Sequence, residues 1–212
     1  MKLVVNADDL GLSSGVNRGI LEAYEHGVVT SASLMVDEDA AEEAVALAGD
    51  LPLGLHAVLD AGGSMLVRLD DVPAELQRQL ERFVALTGEL PTHVDSHHHI
   101  HREPRIARAF ADLTDRHELP LRDRDAPHCG LFYGRWDGES HLEQIGVESL
   151  LRILDGLDAD VTELGCHPGY ADGLVSRYTV ERERELETLT DPRVRARIDE
   201  LGIELIGWRD VS

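Results

Sequence analysis

The chain has little positive charge and almost no lysine. Its 212 residues include 20 Lys and Arg against 41 Asp and Glu, which gives a formal net charge of −21 at pH 7. Lys2 is the only lysine, so arginine carries nearly all of the positive charge. A surface of this sign repels phosphate backbones and anionic lipids, and no local basic patch interrupts it. Nucleic acids and membrane surfaces are therefore excluded as expected partners.

Cysteine is also scarce, since Cys129 and Cys166 are its only two instances. Two thiols so far apart do not form the disulfide framework of a small secreted domain, and each is most simply a small buried apolar residue. The pairs His128-Cys129 and Cys166-His167 contain zinc-ligand residue types, but neither has the spacing of a known structural zinc motif. Cysteine therefore gives only a weak indication of metal binding.

Long apolar runs are missing as well. No segment approaches the roughly 20 apolar residues that span a bilayer, and the first strand reaches Asn6 and Asp8 too soon for the core of a signal peptide. We therefore expect a cytoplasmic protein. With 42% hydrophobic residues, the chain can bury one core and is rather short for two, so residues 1–212 are expected to form a single domain.

Strand-like apolar runs alternate with helix-like segments, which predicts an α/β fold of parallel strands joined by crossover helices. About seven strands favour a distorted (β/α) barrel over an open doubly wound sheet, since no glycine-rich phosphate loop follows the first strand. The predicted strands cover residues 3–5, 31–36, 53–59, 94–101, 119–122, 161–166 and 203–208. The predicted helices cover residues 13–27, 38–48, 73–88, 104–113, 146–156, 180–189 and 192–201, with loops at Gly62-Gly63 and over 126–146.

A histidine cluster in mid-chain is the strongest chemical signal. Four histidines occupy five positions behind a carboxylate, in the stretch Asp95-Ser96-His97-His98-His99-Ile100-His101. Imidazole is the commonest metal ligand in proteins, and a neighbouring carboxylate typically fixes its tautomer. If the strand continues through the cluster, His97 and His99 share one face with Asp95 and His98 points to the other. The alternative is a solvated polar loop that happens to be rich in histidine.

Three other polar clusters also lie near the ends of predicted strands. Asp8-Asp9, His56 and Cys166-His167 all lie within or at the carboxyl ends of predicted strands, as the histidine cluster does. In (β/α) barrels this end of the sheet holds the active site. Two imidazoles and a carboxylate brought together there would bind a metal ion and leave positions open for water and substrate. A second carboxylate could then act as general base and a further histidine as general acid, as amide or ester hydrolysis requires.

Several of these stretches resemble the signature blocks of the YdjC-like carbohydrate deacetylases. The blocks occur in the family's order and cover most of the chain. They are Asn6-Ala7-Asp8-Asp9-Leu10-Gly11-Leu12-Ser13, Gly54-Leu55-His56, residues 92–101, Cys166-His167-Pro168 and Gly207-Trp208-Arg209-Asp210-Val211. The resemblance implies a metal-dependent hydrolase on a (β/α) barrel, often a homodimer, which removes acetyl groups from N-acetylated sugars such as chitooligosaccharides.

The resemblance also implies roles for individual residues. Asp9, His56 and His97 would hold one divalent metal ion, with magnesium and zinc as the leading candidates. Asp8 would be the catalytic base, and His167 matches the histidine in the position suited to a general acid.

Four further side chains are weaker candidates for contacts around the site. Asp95 would fix the tautomer of a metal-binding histidine. Arg122 either orients the Asp8 carboxylate or forms an ordinary surface ion pair. His99 either lines the cleft or hydrogen-bonds within its loop, and Tyr170 is a candidate for stacking on a sugar, as is Trp136.

Two features leave the substrate open. Leu10 stands where the family commonly has Phe, and the regions 62–70 and 126–141, which would shape the cleft, look shorter than in the family. Phe132, Tyr133 and Trp136 make the second region either a substrate-facing flap or a loop that its aromatic side chains tie down. The alternative functions are another metal-dependent amidohydrolase or phosphoesterase on a (β/α) barrel, or a non-catalytic sugar-binding module.

Overall fold

The structure is a computed structural model that describes residues 1–61 and 64–211. The predicted Gly62-Gly63 loop lies outside the described residues. The strands are β1 (Lys2–Leu10), β2 (Ser31–Leu34), β3 (Leu53–Ala57), β4 (Asp60–Ala61), β5 (Ser64–Met65), β6 (Val94–Ser96), β7 (His128–Cys129), β8 (Arg135–Trp136), β9 (Glu139–Ser140), β10 (Val161–Cys166) and β11 (Glu204–Leu205). The α-helices are α1 (Ser14–His26), α2 (Ala41–Leu47), α3 (Val72–Thr87), α4 (Ala107–His117), α5 (Val147–Asp155), α6 (Val180–Leu189) and α7 (Pro192–Glu200). Three 3-10 helices cover Leu69–Asp71, His97–Arg102 and Trp208–Asp210.

One parallel sheet organises the fold. Its strand order is β6-β3-β2-β1-β10-β7, and β11 pairs with the start of β1. Eight of the nine residues of β1 are buried, which is expected of a central parallel strand that is covered on both faces. Single-residue bridges join Val94 to Leu121 and Arg122 to Ala126, so the curled sheet continues irregularly from β6 towards the segment that leads to β7. The predicted α/β fold, a distorted (β/α) barrel, is confirmed.

The helices follow their sequence signals. Ser13 caps α1, since its Oγ accepts a hydrogen bond from the backbone N–H of Val16 at 3.2 Å. Pro73 lies in the first turn of α3, and Gly88 ends that helix with a φ of 81°, a conformation that favours glycine. Phe83 of the same helix is fully buried in the core. In the described part of the chain, no helix is long and apolar enough to cross a membrane.

Three predicted segments differ from the structure. The strand expected at 119–122 is reduced to the bridge at Leu121, and the last strand contains only two residues before the chain turns into a 3-10 helix. This turn lets the ring of Trp208 stack on that of His93, with centroids 4.7 Å apart, in the buried base of the barrel. The loop over 126–146 contains β7 and a hairpin of β8 and β9, which are too short to give a periodic pattern.

The expectation that the histidine run continues a strand is wrong. Strand β6 ends at Ser96, and His98 and His99 have φ values of 53° and 52°, in the left-handed region. Ser96 explains the turn, because its Oγ accepts a hydrogen bond from the backbone N–H of His101 at 2.9 Å and contacts Nδ1 of the same residue at 2.7 Å. The chain is thereby drawn back on itself, so the face predicted to be shared by His97 and His99, with His98 on the other side, does not exist.

Candidate active site

The carboxyl end of β1 directs two consecutive carboxylates, those of Asp8 and Asp9, to one side of the sheet. Neighbouring residues of a regular strand point to opposite faces, but the pairing of β1 with β2 shifts register between Ala7 and Leu10. Asp9 also has a φ of 68°, which is uncommon for a residue with a Cβ atom. The irregularity turns both Asp8 and Asp9 towards His56, and each residue is 2% exposed.

His56 is oriented by the strand beside it. The register of β3 and β6 places His56 opposite Asp95, and Nδ1 of the imidazole lies 2.7 Å from Oδ1 of the carboxylate. With one proton on Nδ1 donated to Asp95, Nε2 is the nitrogen that would coordinate a metal ion after losing its own proton. Gly54, two residues earlier, has no room for a side chain, because a Cβ atom there would lie 2.1 Å from the ring of His93.

Three atoms of metal-ligand type converge at this point. Oδ1 of Asp9 lies 3.3 Å from Nε2 of His56 and 3.2 Å from Nδ1 of His97. Two ligand atoms that each lie about 2.1 Å from one ion are about 3.0 to 3.4 Å apart at octahedral or tetrahedral angles, so the separations fit a shared ion. Among the described residues, the buried Oδ1 of Asp9 accepts no hydrogen bond. A metal ion would satisfy this oxygen.

The other oxygen of Asp9 is already occupied. Nη2 of Arg182 donates to Oδ2 at 2.5 Å, and this arginine is 3% exposed. Burial alone would raise the pKa of Asp9, but Arg182 and the two neighbouring histidines hold it well below its usual value. Asp9 therefore stays ionised, as a carboxylate that binds a metal ion would have to be.

Asp8 has a different set of partners. Both of its oxygens accept from the guanidinium of Arg122, at 2.7 and 2.8 Å, and Oδ1 also accepts from Nδ2 of Asn6 at 2.8 Å. Burial would raise the pKa of Asp8, but Arg122 outweighs it and keeps that pKa well below its usual value. Arg122 itself is fully buried, so the surface ion pair considered from the sequence does not exist.

Arg122 is shared among three carboxylates. Its Nη2 lies 2.7 Å from Asp8, 2.7 Å from Asp95 and 2.6 Å from Glu163. Asp8, His56 and Asp95 form a second group with ligand-type atoms close together, but Arg122 and the ring of His56 already contact its carboxylates. The group of Asp9, His56 and His97 therefore fits a metal ion better than the second group does.

The charges of the buried site favour a cation. Four carboxylates share two guanidinium groups, so two negative charges are unmatched before His56 is counted, which suits a divalent ion. The carboxylates belong to Asp8, Asp9, Asp95 and Glu163, and the guanidinium groups to Arg122 and Arg182.

His167 follows β10 and faces the same site. Its Nε2 lies 4.0 Å from Oδ2 of Asp8, and its backbone N–H donates to the carboxylate of Glu185 at 2.5 Å. Burial lowers the pKa of His167 to about 4, although Asp9 and Asp8 oppose the shift. Burial also raises the pKa of Glu185 to about 8. At pH 7 the imidazole is therefore neutral and Glu185 is mostly protonated.

The remaining sequence candidates lie around this centre or away from it. The ring of His99 lies 4.8 Å from that of His128, and burial lowers the pKa of His99 to about 3. Tyr170 packs on α1, where its hydroxyl donates to Glu22 at 2.5 Å. Trp136 stacks on His141 with ring centroids 3.7 Å apart. The structure therefore does not bring Tyr170 or Trp136 into contact with the three ligand-type residues.

Three buried residues at the site were missed by the sequence analysis. Glu163 is the one charged residue of strand β10, and an acid in such a position is a signal that could have identified it. Arg182 and Glu185 belong to the run of alternating charges in α6, which is typical of a solvated helix. No pattern in that run distinguishes the buried charges from the exposed ones.

Comparison with known proteins decides the family. The family model described as YdjC-like protein matches residues 2–200. The chain belongs to the YdjC-like family. The resemblance inferred from the sequence blocks is thereby confirmed.

Curated relatives of this YdjC-like protein match over nearly their whole length. One is a carbohydrate deacetylase from Geobacillus stearothermophilus, 40% identical, with 98% of this chain and 96% of that protein covered. Another is a chitooligosaccharide deacetylase from Serratia marcescens, 38% identical, with 99% and 98% covered. The first alignment spans 240 positions, more than the 212 residues of this chain, so that relative has segments that this YdjC-like protein lacks.

Solved structures share the fold. A protein from Enterococcus faecalis, whose name proposes cellobiose-phosphate cleavage, superposes with a TM-score of 0.88 at 27% identity, covering 100% of this chain and 98% of that chain. A family 4 acetyl xylan esterase from Clostridium thermocellum, in complex with a cobalt ion, gives a TM-score of 0.61 at 13% identity, with 100% and 90% covered. At 13% identity the similarity concerns the fold alone.

Proposed function

We propose that this YdjC-like protein is a metal-dependent hydrolase that removes the N-acetyl group from an acetylated amino sugar or chitooligosaccharide. The observation that carries the proposal is the unpartnered Oδ1 of Asp9 between two imidazole nitrogens, next to a second carboxylate that a buried arginine keeps ionised. The reaction needs a Lewis acid and a base side by side, and these side chains supply a place for the first and the group for the second.

Asp9, His56 and His97 are the residues that would hold the metal. A divalent ion held there would polarise the acetamide carbonyl and acidify a water molecule. Asp95 supports this role through its contact with Nδ1 of His56, which leaves Nε2 free to coordinate. The set of two imidazoles and one carboxylate suits zinc, and magnesium remains an alternative. The cobalt ion in the acetyl xylan esterase, which shares the fold, is consistent with a divalent metal.

Asp8 is assigned as the general base. Its carboxylate remains ionised throughout the neutral pH range, because Arg122 binds both oxygens. Arg122 also fixes the direction of the carboxylate, since two parallel hydrogen bonds leave it no rotational freedom. The proton of the attacking water is therefore taken at an oxygen of Asp8.

His167 is assigned as the group that delivers a proton to the departing amine. Because its imidazole is neutral at pH 7, that proton has to reach the ring during the reaction. Asp8 Oδ2 lies 4.0 Å from His167 Nε2, so the proton removed from water has a short route to the amine.

The substrate class rests on the relatives. Curated relatives at 34% to 40% identity are named carbohydrate or chitooligosaccharide deacetylases and are covered almost completely. The name of the Enterococcus faecalis protein adds a phosphorylated disaccharide to the compounds worth testing. The homodimer and the cytoplasmic location inferred from the sequence stay predictions.

Acetate release tests the proposal. The protein is incubated with N-acetylglucosamine, N,N′-diacetylchitobiose and their 6-phosphates, after treatment with a chelator and after addition of zinc, magnesium or cobalt. We expect acetate from at least one sugar only when a metal is present. Release that is insensitive to the chelator would contradict the metal site, and no release from any sugar would contradict the substrate class.

A matched pair of variants tests the base. Asp8→Asn is expected to lower kcat at least about 100-fold while the protein still binds one metal ion per chain. Asp199→Asn, an exposed residue on α7, is the control and is expected to keep full activity. Full turnover by Asp8→Asn would reject the assignment of the base.

A further inference from the structure

Tyr133 is an exposed aromatic side chain beside the candidate active site. It is 41% exposed, whereas Phe132 before it is 1% exposed. Its ring centroid lies 5.9 Å from that of His167, with the two planes at 66°. Asp9 lies close enough to contribute, after burial and Glu185, to a raised pKa of the Tyr133 hydroxyl. Tyr133 therefore borders the place where the reaction is proposed to occur.

One face of the Tyr133 ring is supported from behind. The ring stacks on that of Tyr178, with centroids 5.0 Å apart and planes at 12°. Tyr178 is itself fixed, because its hydroxyl donates to Glu185 and accepts from the backbone N–H of Gly134 at 3.0 Å. Glu185 also binds the backbone N–H of His167, so the same buried carboxyl positions the stacked pair and the proposed acid. Although Tyr178 covers one face of the ring, Tyr133 remains 41% exposed.

The backbone on both sides of Tyr133 is held in place. The buried ring of Phe132 anchors the residue before it. The residue after it, Gly134, approaches the protein so closely that a Cβ atom there would lie 2.6 Å from Cδ1 of Ile145. The aromatic surface is therefore already formed, and a ligand that stacks on it loses little free energy to ordering the loop.

Geometry connects this surface to the sugar ring. In an N-acetylated amino sugar, the nitrogen that becomes the free amine is bonded directly to a ring carbon. When His167 reaches that nitrogen, the pyranose ring lies within a few ångströms of the imidazole, at about the distance of Tyr133 from it. The C–H face of a pyranose is apolar and flat enough to stack on an aromatic ring. A hydrophobic side chain that is not flat makes a poorer contact with that face.

We propose that the face of Tyr133 opposite Tyr178 is the stacking surface for the pyranose ring that carries the N-acetyl group, and that Tyr133 is a specificity-determining residue. This inference rests on the proposed function for the position of the reacting amide. It adds to the proposed function a site that recognises the sugar ring, whereas the residues assigned above act on the acetamide group. Trp136, on the next hairpin, has its ring against His141 and is not part of this surface.

Variants of Tyr133 test the inference. Tyr133→Leu keeps an apolar contact with Tyr178 and removes the flat ring, and we expect it to raise KM about tenfold while kcat changes less than about threefold. Tyr133→Phe keeps the ring and is expected to retain the wild-type KM. Trp136→Leu, an aromatic residue of similar exposure, is the matched control and is expected to retain it as well. Equal KM values for Tyr133→Leu and the wild type would overturn the inference.

A binding measurement separates this inference from the proposed function. If the wild type releases no acetate, the same four sugars are titrated calorimetrically into the intact wild-type and variant proteins. A dissociation constant about tenfold weaker in Tyr133→Leu, with Tyr133→Phe unchanged, would support the stacking surface even though deacetylation had failed. Equal dissociation constants, or no binding of any of the four sugars to the wild type, would overturn it.

Discussion

Replacing Arg122 with Met removes the only cation that contacts all three carboxylates of Asp8, Asp95 and Glu163 in the described structure. Arg122 is fully buried, so water cannot take its place. Breaking a buried ion pair by removing one partner typically costs about 3–5 kcal/mol, and here three carboxylates lose the same partner. We therefore expect the free energy of unfolding to fall by about 5 kcal/mol at pH 7. For a chain of this length the melting temperature should fall by about 10 to 20 °C.

The pH dependence of this loss has a definite sign. In the wild type, the folded-state pKa of Asp8 lies below its unfolded value, so its contribution to stability is present above pH 4 and is lost as the pH falls. Without Arg122, burial dominates and raises the pKa of Asp8, so the folded variant binds protons at higher pH than the unfolded chain. The contribution of Asp8 then makes the variant more stable as the pH falls from 7 towards 5, whereas the contribution of His167 is common to both proteins. The difference between the two proteins should therefore narrow on acidification.

Urea unfolding followed by circular dichroism, on chelator-treated protein between pH 5 and 7.5, measures the difference. Arg197→Met is the matched control, because Arg197 lies on α7, pairs with Asp155 and Glu200 near the surface, and should change stability by less than about 0.5 kcal/mol. A loss below about 1 kcal/mol for Arg122→Met at pH 7 would refute the reasoning on buried charge. A difference that widens on acidification would refute the assigned sign.

Three further predictions follow from other features of the site. Burial opposes the protonation of His56, but Asp95 and Asp8 raise its pKa to about 10, so a metal ion has to displace a proton at neutral pH. Zinc affinity should therefore rise about tenfold per pH unit between pH 6 and 8. Calorimetry in buffers of different ionisation enthalpy should detect one proton released on zinc binding. Zinc binding that releases no proton would contradict the prediction. Burial lowers the pKa of His167 to about 4, below its unfolded value, so the wild type should lose stability as the pH falls from 6.5 to 4. His167→Gln should remove this loss from the free energy of urea unfolding measured against pH. The same pH dependence in the variant and the wild type would contradict the burial of a neutral ring. Gly54→Ala would place a Cβ atom 2.1 Å from the buried ring of His93 and should lower the free energy of unfolding by at least about 1–3 kcal/mol. Gly156→Ala, where the nearest atom to the new Cβ lies at 3.5 Å, should be nearly neutral in thermal unfolding. Equal melting temperatures for the two variants would contradict the proposed crowding.

The alternation of strands and helices could be predicted because each element has a local signal. Val161–Cys166 and Val180–Leu189 have the bounds predicted for them. In a parallel sheet the carboxyl ends of the strands meet at one edge, so the pattern also indicated that Asp8, His56 and His167 would lie near one another. Hydrophobic periodicity and the direction of successive strands follow from short segments of the chain, so they can be predicted from the sequence alone.

The parts that could not be predicted depend on contacts between distant segments. The turn at His98 and His99 follows from Ser96 binding His101, and strand propensity gives no sign of it. Arg182 meets Asp9 across 173 positions of sequence, so nothing within α6 indicates that its charge is buried. The tertiary structure decides which charges in such a run meet a buried partner, and composition cannot.

Asp8 and Asp9 show how the fold assigns different chemistry to identical neighbours. Arg122 binds both oxygens of Asp8, which therefore stays ionised and fixed in direction, with its charge matched by a guanidinium group. Arg182 binds a single oxygen of Asp9, and the positive φ of that residue turns the other oxygen to the imidazoles of His56 and His97. Two adjacent acids whose surroundings differ in this way can divide the roles of base and ligand between them. A strand without the register shift would have pointed one of the two away from the site, so the irregularity at the end of β1 is what allows both to take part.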